Sequence, residues 1–385
     1  MSRFRTYLEN TFHLTSTELE DVMSSLVKPL TKSIRINTHK ISREDFILHA
    51  REQNWVLTET DIPEVFLIDR EDTSLALGRT LEHQAGWFYI QELAAAHPPF
   101  LLKREIVQNT KDKIQNRESV GSGNKINEQN QPNQPNFSGT IIDMCASPGG
   151  KTTQLADYFP ESLIIANEVN RSRTPQLFDN LDRMGYDNVA VVSCDGRFFQ
   201  NFPEYFDAVL LDAPCSGEGT VFRDSSVIEH WHEKNIHRIA KLQKQLFETA
   251  MTIVKPGGFI SYSTCTLNKE ENENVILLSE GIQNTKDKEQ KNGGLFQCLY
   301  QKRFWPHIEH TGGFFASIFQ KRLYATASHE YPLLPSQGQT PFVRPATKGE
   351  RETVERFVMK HLHTKLADRY LFISKDGVYA NPHNL

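Results

Sequence analysis

Several residues with chemistry in their side chains stand where short apolar runs stop. Cys145 closes "TIIDMCA", Glu168 falls in "LIIANEV", Asp195 closes "VAVVSCD", Asp212 falls in "FDAVLLDAP" and Cys265 closes "GGFISYSTC". "DAPCSGEGT" places Asp212 and Cys215 on one loop, and "SYSTCT" places Cys265 at the end of the next run. A deprotonated thiol is a nucleophile, and a carboxyl beside it can hold or move a proton. Free cysteines are usually small buried hydrophobes, and Cys194 and Cys298, inside apolar runs, take that reading. Cys215 and Cys265 sit among proline, glycine and hydroxyl residues, a loop context suited to chemistry.

A second motif, "CASPGGKTT" from Cys145 to Thr153, resembles a phosphate loop, with Gly150, Lys151 and Thr152 in place. "AVLLD", ending at Asp212, would supply the matching acidic strand. Two residues argue against a triphosphatase: Cys145 occupies the position of the opening glycine, and Pro148 has no N–H to offer a phosphate. Glu168 follows Gly149 by 19 residues, close to the roughly 20 that bring a carboxylate to a ribose hydroxyl in mononucleotide-binding βαβ units. A tight glycine turn plus a ribose acid suits an adenosine cofactor without a pyrophosphate.

The elements that must position these residues follow from the same runs. Short β-branched segments alternate with helix-compatible stretches such as "KTTQLADYF" and Ile236–Val254, which predicts an α/β fold with a doubly wound, mostly parallel sheet. Ligands in such sheets bind at the carboxyl ends of strands, where the polar residues lie. "RFWPHIEHTGGFFASIFQK" reads as an antiparallel hairpin closing the sheet, with Gly312 and Gly313 at its turn. The chain divides into an α+β region at 1–102, a polar linker at 103–137, a catalytic domain at 138–325 with a polar loop insertion at about 279–294, and a basic extension at 326–385. The linker is rich in Asn, Gln, Lys and Glu and cannot bury enough surface to order itself. "ERETVERFVMKHLHTKLADRY" predicts an amphipathic helix and "LFISKDGVYANP" a hairpin in the extension.

Composition narrows the functional classes. The formal net charge is −5, without the global basic signature of many nucleic-acid binders. From Leu299 to Leu385, however, twelve Lys and Arg face seven Asp and Glu. No apolar run approaches the roughly 18 residues of a membrane span. Five cysteines, an odd number without framework spacing, point to a reducing compartment, the cytoplasm. "HWHEKNIHR" nearly spells a zinc helix, but His232 and His237 are five apart rather than four, so no metal site is expected.

Taken together, "DMCASPGGKTTQLA", "NEVN", "DAPCSGEGT" and "STCTLNKEENENVI" resemble the RsmB/RsmF-type (Sun family) RNA cytosine-5 methyltransferases, in family order from about Ile34 to about Lys321. The resemblance implies a class I methyltransferase fold that binds S-adenosylmethionine. It places Cys145, Ala146, Ser147, Pro148, Gly149, Gly150 and Lys151 at the methionine end, Glu168 on the ribose, Asp195 near the adenine and Asp212 between cofactor and base. Cys265 becomes the nucleophile, Cys215 assists product release, and Lys151 supports Asp212. The N-terminal region becomes RNA-facing, with Arg35 and Asn37 as candidate contacts, joined by Arg303 and His307. The implied partner is RNA: ribosomal RNA first, transfer RNA as an alternative, and a non-catalytic RNA-binding assembly factor as a third reading. The final segment departs from the RsmF pattern, being too short for a full PUA-like domain, and the RsmB-like helical N-terminal domain is also expected to be absent.

Overall fold

The computed structural model describes residues 2–119, 137–229, 231–277, 279, 282–283 and 294–323, with 344–345, 348, 352, 370–374 and 377–381 beyond them. The chain opens with helices α1, Ser2–Phe12, and α2, Ser16–Leu26. A reciprocal cap starts α2: Glu18 N donates to the Thr15 hydroxyl, and Thr15 N donates to the Glu18 carboxylate. Next come β1 (Ser33–Ile36), α3 (Arg43–Glu52), β2 (Trp55–Glu59), β3 (Val65–Arg70), α4 (Leu81–Gln84), β4 (Phe88–Ile90) and α5 (Leu93–Ser119). The four strands pair antiparallel in the order β2-β3-β1-β4, and Ile34, Ile36, Phe46, Phe66 and Phe88 fill their core.

The expected boundaries at 102 and 103 do not match these elements. Helix α5 runs through both and reaches Ser119, and Leu101, Leu102 and Ile106 bury against the catalytic sheet. The polar composition that suggested a linker from 103 thus begins on a helix anchored by the apolar residues before it, while 120–136 lie outside the described residues. The N-terminal helices are not part of the small sheet's core either. Phe4, Leu8, Leu19 and Val22 pack with Val221, Trp231, Ile236 and Leu267 of the catalytic domain.

That domain supplies β5 (Thr140–Asp143), α6 (Gly150–Tyr158), β6 (Leu163–Asn167), α7 (Thr174–Met184), β7 (Val189–Val192), β8 (Phe206–Asp212), α8 (Ser226–Glu229), α9 (Glu233–Ile253) and β9 (Val254–Thr264). It continues with α10 (Glu273–Leu277), β10 (Ile282–Gln283), β11 (Phe296–Phe304), α11 (Pro306–Glu309) and β12 (Phe314–Lys321). The sheet order is β10-β11-β12-β9-β8-β5-β6-β7, parallel from β9 to β7, with β12 antiparallel to both β9 and β11. Strands β5, β6 and β8 are apolar on both faces because helices cover both: α5 and α6 one side, α9 the other. The order reverses at β5, so the crevice at its carboxyl end is where this topology places a ligand.

The closing hairpin has a different turn from the expected one. Helix α11 and His310 (φ 55°) make the connection, and Gly312 and Gly313 sit at the start of β12 for close approach. A Cβ on Gly219 would lie 1.7 Å from Gly313 O. In the extension, β14 (Tyr370–Ser374) and β15 (Gly377–Asn381) form the expected hairpin, beside a short β13 (Arg344–Pro345). Nearly all of the expected amphipathic helix falls outside the described residues.

Candidate active site

The turn after β5 is built for close backbone approach. Ala146 N donates to Asn167 O and Gly149 N to Ala146 O, which folds the loop over the end of β6. Gly149 takes φ +104°, where a Cβ would also press on Leu177 at 2.9 Å, so glycine is required. Gly150 opens α6 with the Tyr89 ring 3.1 Å from where a Cβ would stand. One residue on, Lys151 leaves the helix start and donates from Nζ to Asp212 Oδ2 at 2.8 Å. Ser263 of β9 donates to Asp212 Oδ1 at 2.7 Å, so both carboxylate oxygens are held. Burial works against the Lys151 charge, but Asp212, then Asp143 and Cys265, outweigh it and hold the ammonium above its ordinary range. Asp143, at the end of β5, accepts from the Thr152 hydroxyl at 2.7 Å, and burial still pushes its carboxyl up to about 7.

Strands β8 and β9 are neighbours, and the loops after them bring Cys215 and Cys265 together with their sulfurs 2.9 Å apart. A hydrogen bond with Cys265 and then burial push the Cys215 thiol well above its ordinary value. Cys215 therefore keeps its proton and can donate it toward the Cys265 sulfur.

Two buried carboxylates that sequence reasoning missed lock these loops. Glu218, fully buried, accepts from Trp231 Nε1, the Thr266 hydroxyl, the Leu267 and Asn268 backbone amides and Asn268 Nδ2. Glu271, also fully buried, accepts from Ser216 N, Gln243 Nε2 and Asn268 Nδ2. Each thus joins the segment around Cys215 to the segment after Cys265. The signal was available: an acid inside the glycine-rich "DAPCSGEGT" and another in "NKEENENVI", both too close to an apolar core to stay in solvent.

A cavity of about 340 Å³ opens at this point. Cys145, Ala146, Ser147, Pro148, Gly150, Lys151, Asp212 and Cys265 line it, so most of the predicted site converges. Tyr89, Glu92, Arg173 and Phe222 add to walls that no sequence motif marks. Glu168, Asp195 and Cys215 are not on the lining. Glu168 is buried beside it, accepting from Asn170 N at 2.8 Å with Arg173 at 3.4 Å. Asp195 is exposed and bound by Arg197 at 2.6 Å, which holds its carboxyl below the usual range.

The expected RNA contacts fare differently. Arg35 is fully buried and donates to the Thr153 hydroxyl at 2.7 Å, so it joins the small sheet to α6 and cannot reach a phosphate. Asn37 is equally buried, donating to Gly86 O and Met184 O. Arg303 donates to Glu273 at 2.5 Å and stacks over Phe12, again a structural role. Short polar segments with surface-like composition concealed all three. His307 is half-buried beside Trp305. His232 caps α9, its ring nitrogen accepting from Lys234 N.

Comparisons with known proteins point to one family. The model of "16S rRNA methyltransferase RsmB/F" matches residues 131–320, and that of the "N-terminal domain of 16S rRNA methyltransferase RsmF" matches residues 5–93. The chain belongs to the RsmB/F methyltransferase family. Within that family, ribosomal RNA small subunit methyltransferase F of Vibrio parahaemolyticus is 40% identical over 260 residues, covering 67% of this chain and 48% of its own. The Pectobacterium atrosepticum protein of the same name is 39% identical over 264 residues, covering 68% and 49%. The chain thus spans about half the length of the curated RsmB/F relatives it matches. Among solved structures, a methyltransferase homolog protein from Pyrococcus horikoshii superposes with a TM-score of 0.62 at 26% identity, over 80% of this chain and 92% of that one. NSun6 from the same organism, solved with SFG, gives 0.60 at 21% identity over 82% and 97%, and shares the fold.

Proposed function

We propose that the protein methylates carbon 5 of a cytosine in ribosomal RNA, using S-adenosylmethionine and a transient bond between Cys265 and the base. The observation that carries this reading is the pair of thiols 2.9 Å apart, with Lys151 and Asp212 joined nearby on the same cavity. The names of the relatives support ribosomal RNA as the substrate.

The residues present fit the cofactor. Its adenosine needs a glycine turn and a ribose acid, which Gly149 and the buried Glu168 supply. Its sulfonium is a cation, and Asp143 and Asp212 stand on the wall of the cavity. When bound, S-adenosylmethionine supplies the methyl group.

The chain's own residues do the rest. Carbon 5 of cytosine is too weakly nucleophilic to be methylated unaided; addition of the Cys265 thiolate at carbon 6 makes an enamine and divides one hard step into two. Lys151 and Ser263 fix the Asp212 carboxyl so that it can meet nitrogen 3 and stabilise the adduct through a hydrogen bond or proton. The carbon 5 proton must then pass to a base from solvent as the Cys265–carbon 6 bond breaks, and the Cys215 thiol, 2.9 Å from the Cys265 sulfur, can hydrogen-bond the departing thiolate. Five free cysteines support a reducing, cytoplasmic setting, and among the described residues no helix is long and apolar enough to cross a membrane.

The test is transfer of a radiolabelled methyl group from S-adenosylmethionine to protein-free small-subunit ribosomal RNA, mapped by bisulfite sequencing. One protected cytosine is the expected result. Label on transfer RNA alone would move the substrate assignment, and no label on either RNA would overturn the reading.

A further inference from the structure

Part of the cavity wall is backbone, at Gly219, Gly312 and Gly313. Gly219 N donates to Cys265 O at 3.0 Å, and Gly313 N donates to Gly219 O at 3.1 Å. Gly312 N then donates to Glu92 Oε1 at 3.1 Å. A four-segment ladder thus runs from the nucleophile's own carbonyl to a carboxylate at the start of α5. Side chains are excluded from it: the Gly219 Cβ position falls 1.7 Å from Gly313 O, and that of Gly312 falls 2.9 Å from Gly219 O. Glu92 is itself anchored, accepting from Ala95 N at 3.1 Å, and faces the cavity. With its stem fixed to a helix packed on the sheet and its head on Gly312, it is the only side chain in this ladder.

We infer that Glu92 is a positioning residue for the covalent step: through Gly312, Gly313 and Gly219 it holds the Cys265 backbone where the sulfur can attack. The inference rests on the covalent reading above. Burial raises the Glu92 carboxyl and the backbone amides it accepts from oppose that rise. Ala95 N also reaches Glu92 O, so Gly312 N is the amide that depends on this carboxylate. Displacement of a reacting group by about 1 Å can cost on the order of 100-fold in rate, so a slack ladder should be visible in turnover before it is visible in folding.

The experiment uses the full chain. Glu92→Gln keeps the size but presents an amide N–H to one of the backbone donors. Its kcat should fall about 10- to 100-fold, with KM for cofactor and RNA and the melting temperature unchanged. In a Cys215→Ala background the trapped protein–RNA complex should form correspondingly more slowly. Gly312→Ala attacks the same ladder from the other side and should lower kcat by a similar factor, with a lower melting temperature because its Cβ presses on Gly219 O. The double variant should lose little more kcat than either single one. Unchanged kcat in Glu92→Gln would overturn the inference. So would a rise in RNA KM alone, which would make Glu92 an RNA contact, or a fall in melting temperature that accounts for the lost activity. A wild-type protein that transfers no methyl group would instead overturn the covalent reading itself.

Discussion

The two flanks of the cleft are built to different standards. On the β8–β9 side, Cys215, Cys265 and Asp212 are tied by Glu218, Glu271, Ser263 and Lys151. On the β6–β7 side, Glu168 is buried with a single backbone donor and one arginine, and Asp195 lies exposed against Arg197. The difference is the one the proposed reaction asks of the two sides. Bond formation depends steeply on sub-ångström placement, whereas holding an adenosine needs only adequate acceptors and apolar area. Preorganisation is concentrated where the proposed reaction would change bonds.

The largest expected effects test the thiol flank. Cys265→Ala should abolish methyl transfer and leave no covalent protein–RNA complex, because no adduct can form. Cys215→Ala should still attack and transfer, then stall, and accumulate a complex that survives denaturing electrophoresis. The reverse pattern would exchange the two roles, and full activity in both variants would remove covalent catalysis.

Next in size is a pH effect at β5, between the flanks. Burial raises the Asp143 carboxyl to about 7, so the folded state holds a proton that the unfolded chain, with a value near 3.9, gives up. The associated stability is present below about pH 4 and is lost as pH rises through about 7, by up to about 4 kcal/mol. Asp143→Asn should flatten that slope in denaturation measured from pH 4 to 8; an unchanged slope would show Asp143 ionised throughout. Glu218→Ala should cost about 3 kcal/mol or more, since it strands several buried donors at once. Chemical denaturation reads this directly, and a loss below 1 kcal/mol would mean that the clamp relaxes freely.

The smaller effects concern the cofactor flank. Glu168→Ala should weaken cofactor binding by about 1.5–3 kcal/mol through loss of a charge-assisted acceptor. Asp195→Ala should weaken it by no more than about fivefold, because an exposed hydrogen bond contributes about 1 kcal/mol. Calorimetry giving the opposite order would break the contrast between the buried and exposed acids.

How legible this was in the sequence depended on whether a residue's role is local. Near-continuous β-branched runs have one stable use, a sheet covered on both faces, so the doubly wound core could be read from "LIIAN" and "AVLLD". The pairing of Cys215 with Cys265 could be read too, because both follow neighbouring strands of that sheet. Arg35, Asn37 and Arg303 misled because a polar side chain and its buried partner are far apart in sequence: Arg35 meets Thr153, and Asn37 meets Met184. Glu92 and Glu218 were silent for the same reason. Their partners are backbone amides of distant loops, which leave no trace in residue type. The 102/103 boundary failed differently, since polar composition marks where apolar burial ends and a helix can outlast it.

The seam between the small sheet and the turn that opens the site carries one more consequence. Arg35 on β1 donates to Thr153 on α6, Asn37 to Met184 at the end of α7, and Arg183 to His83 O and Phe88 O, all across that seam. A joint with this many buried crosslinks does not hinge. The small sheet and the glycine turn behave as one rigid gauge, so the offset between any point on that sheet and the reacting sulfur is a built-in length. Under the proposed reaction, that length would set how far the target cytosine lies from whatever part of the RNA meets the small sheet.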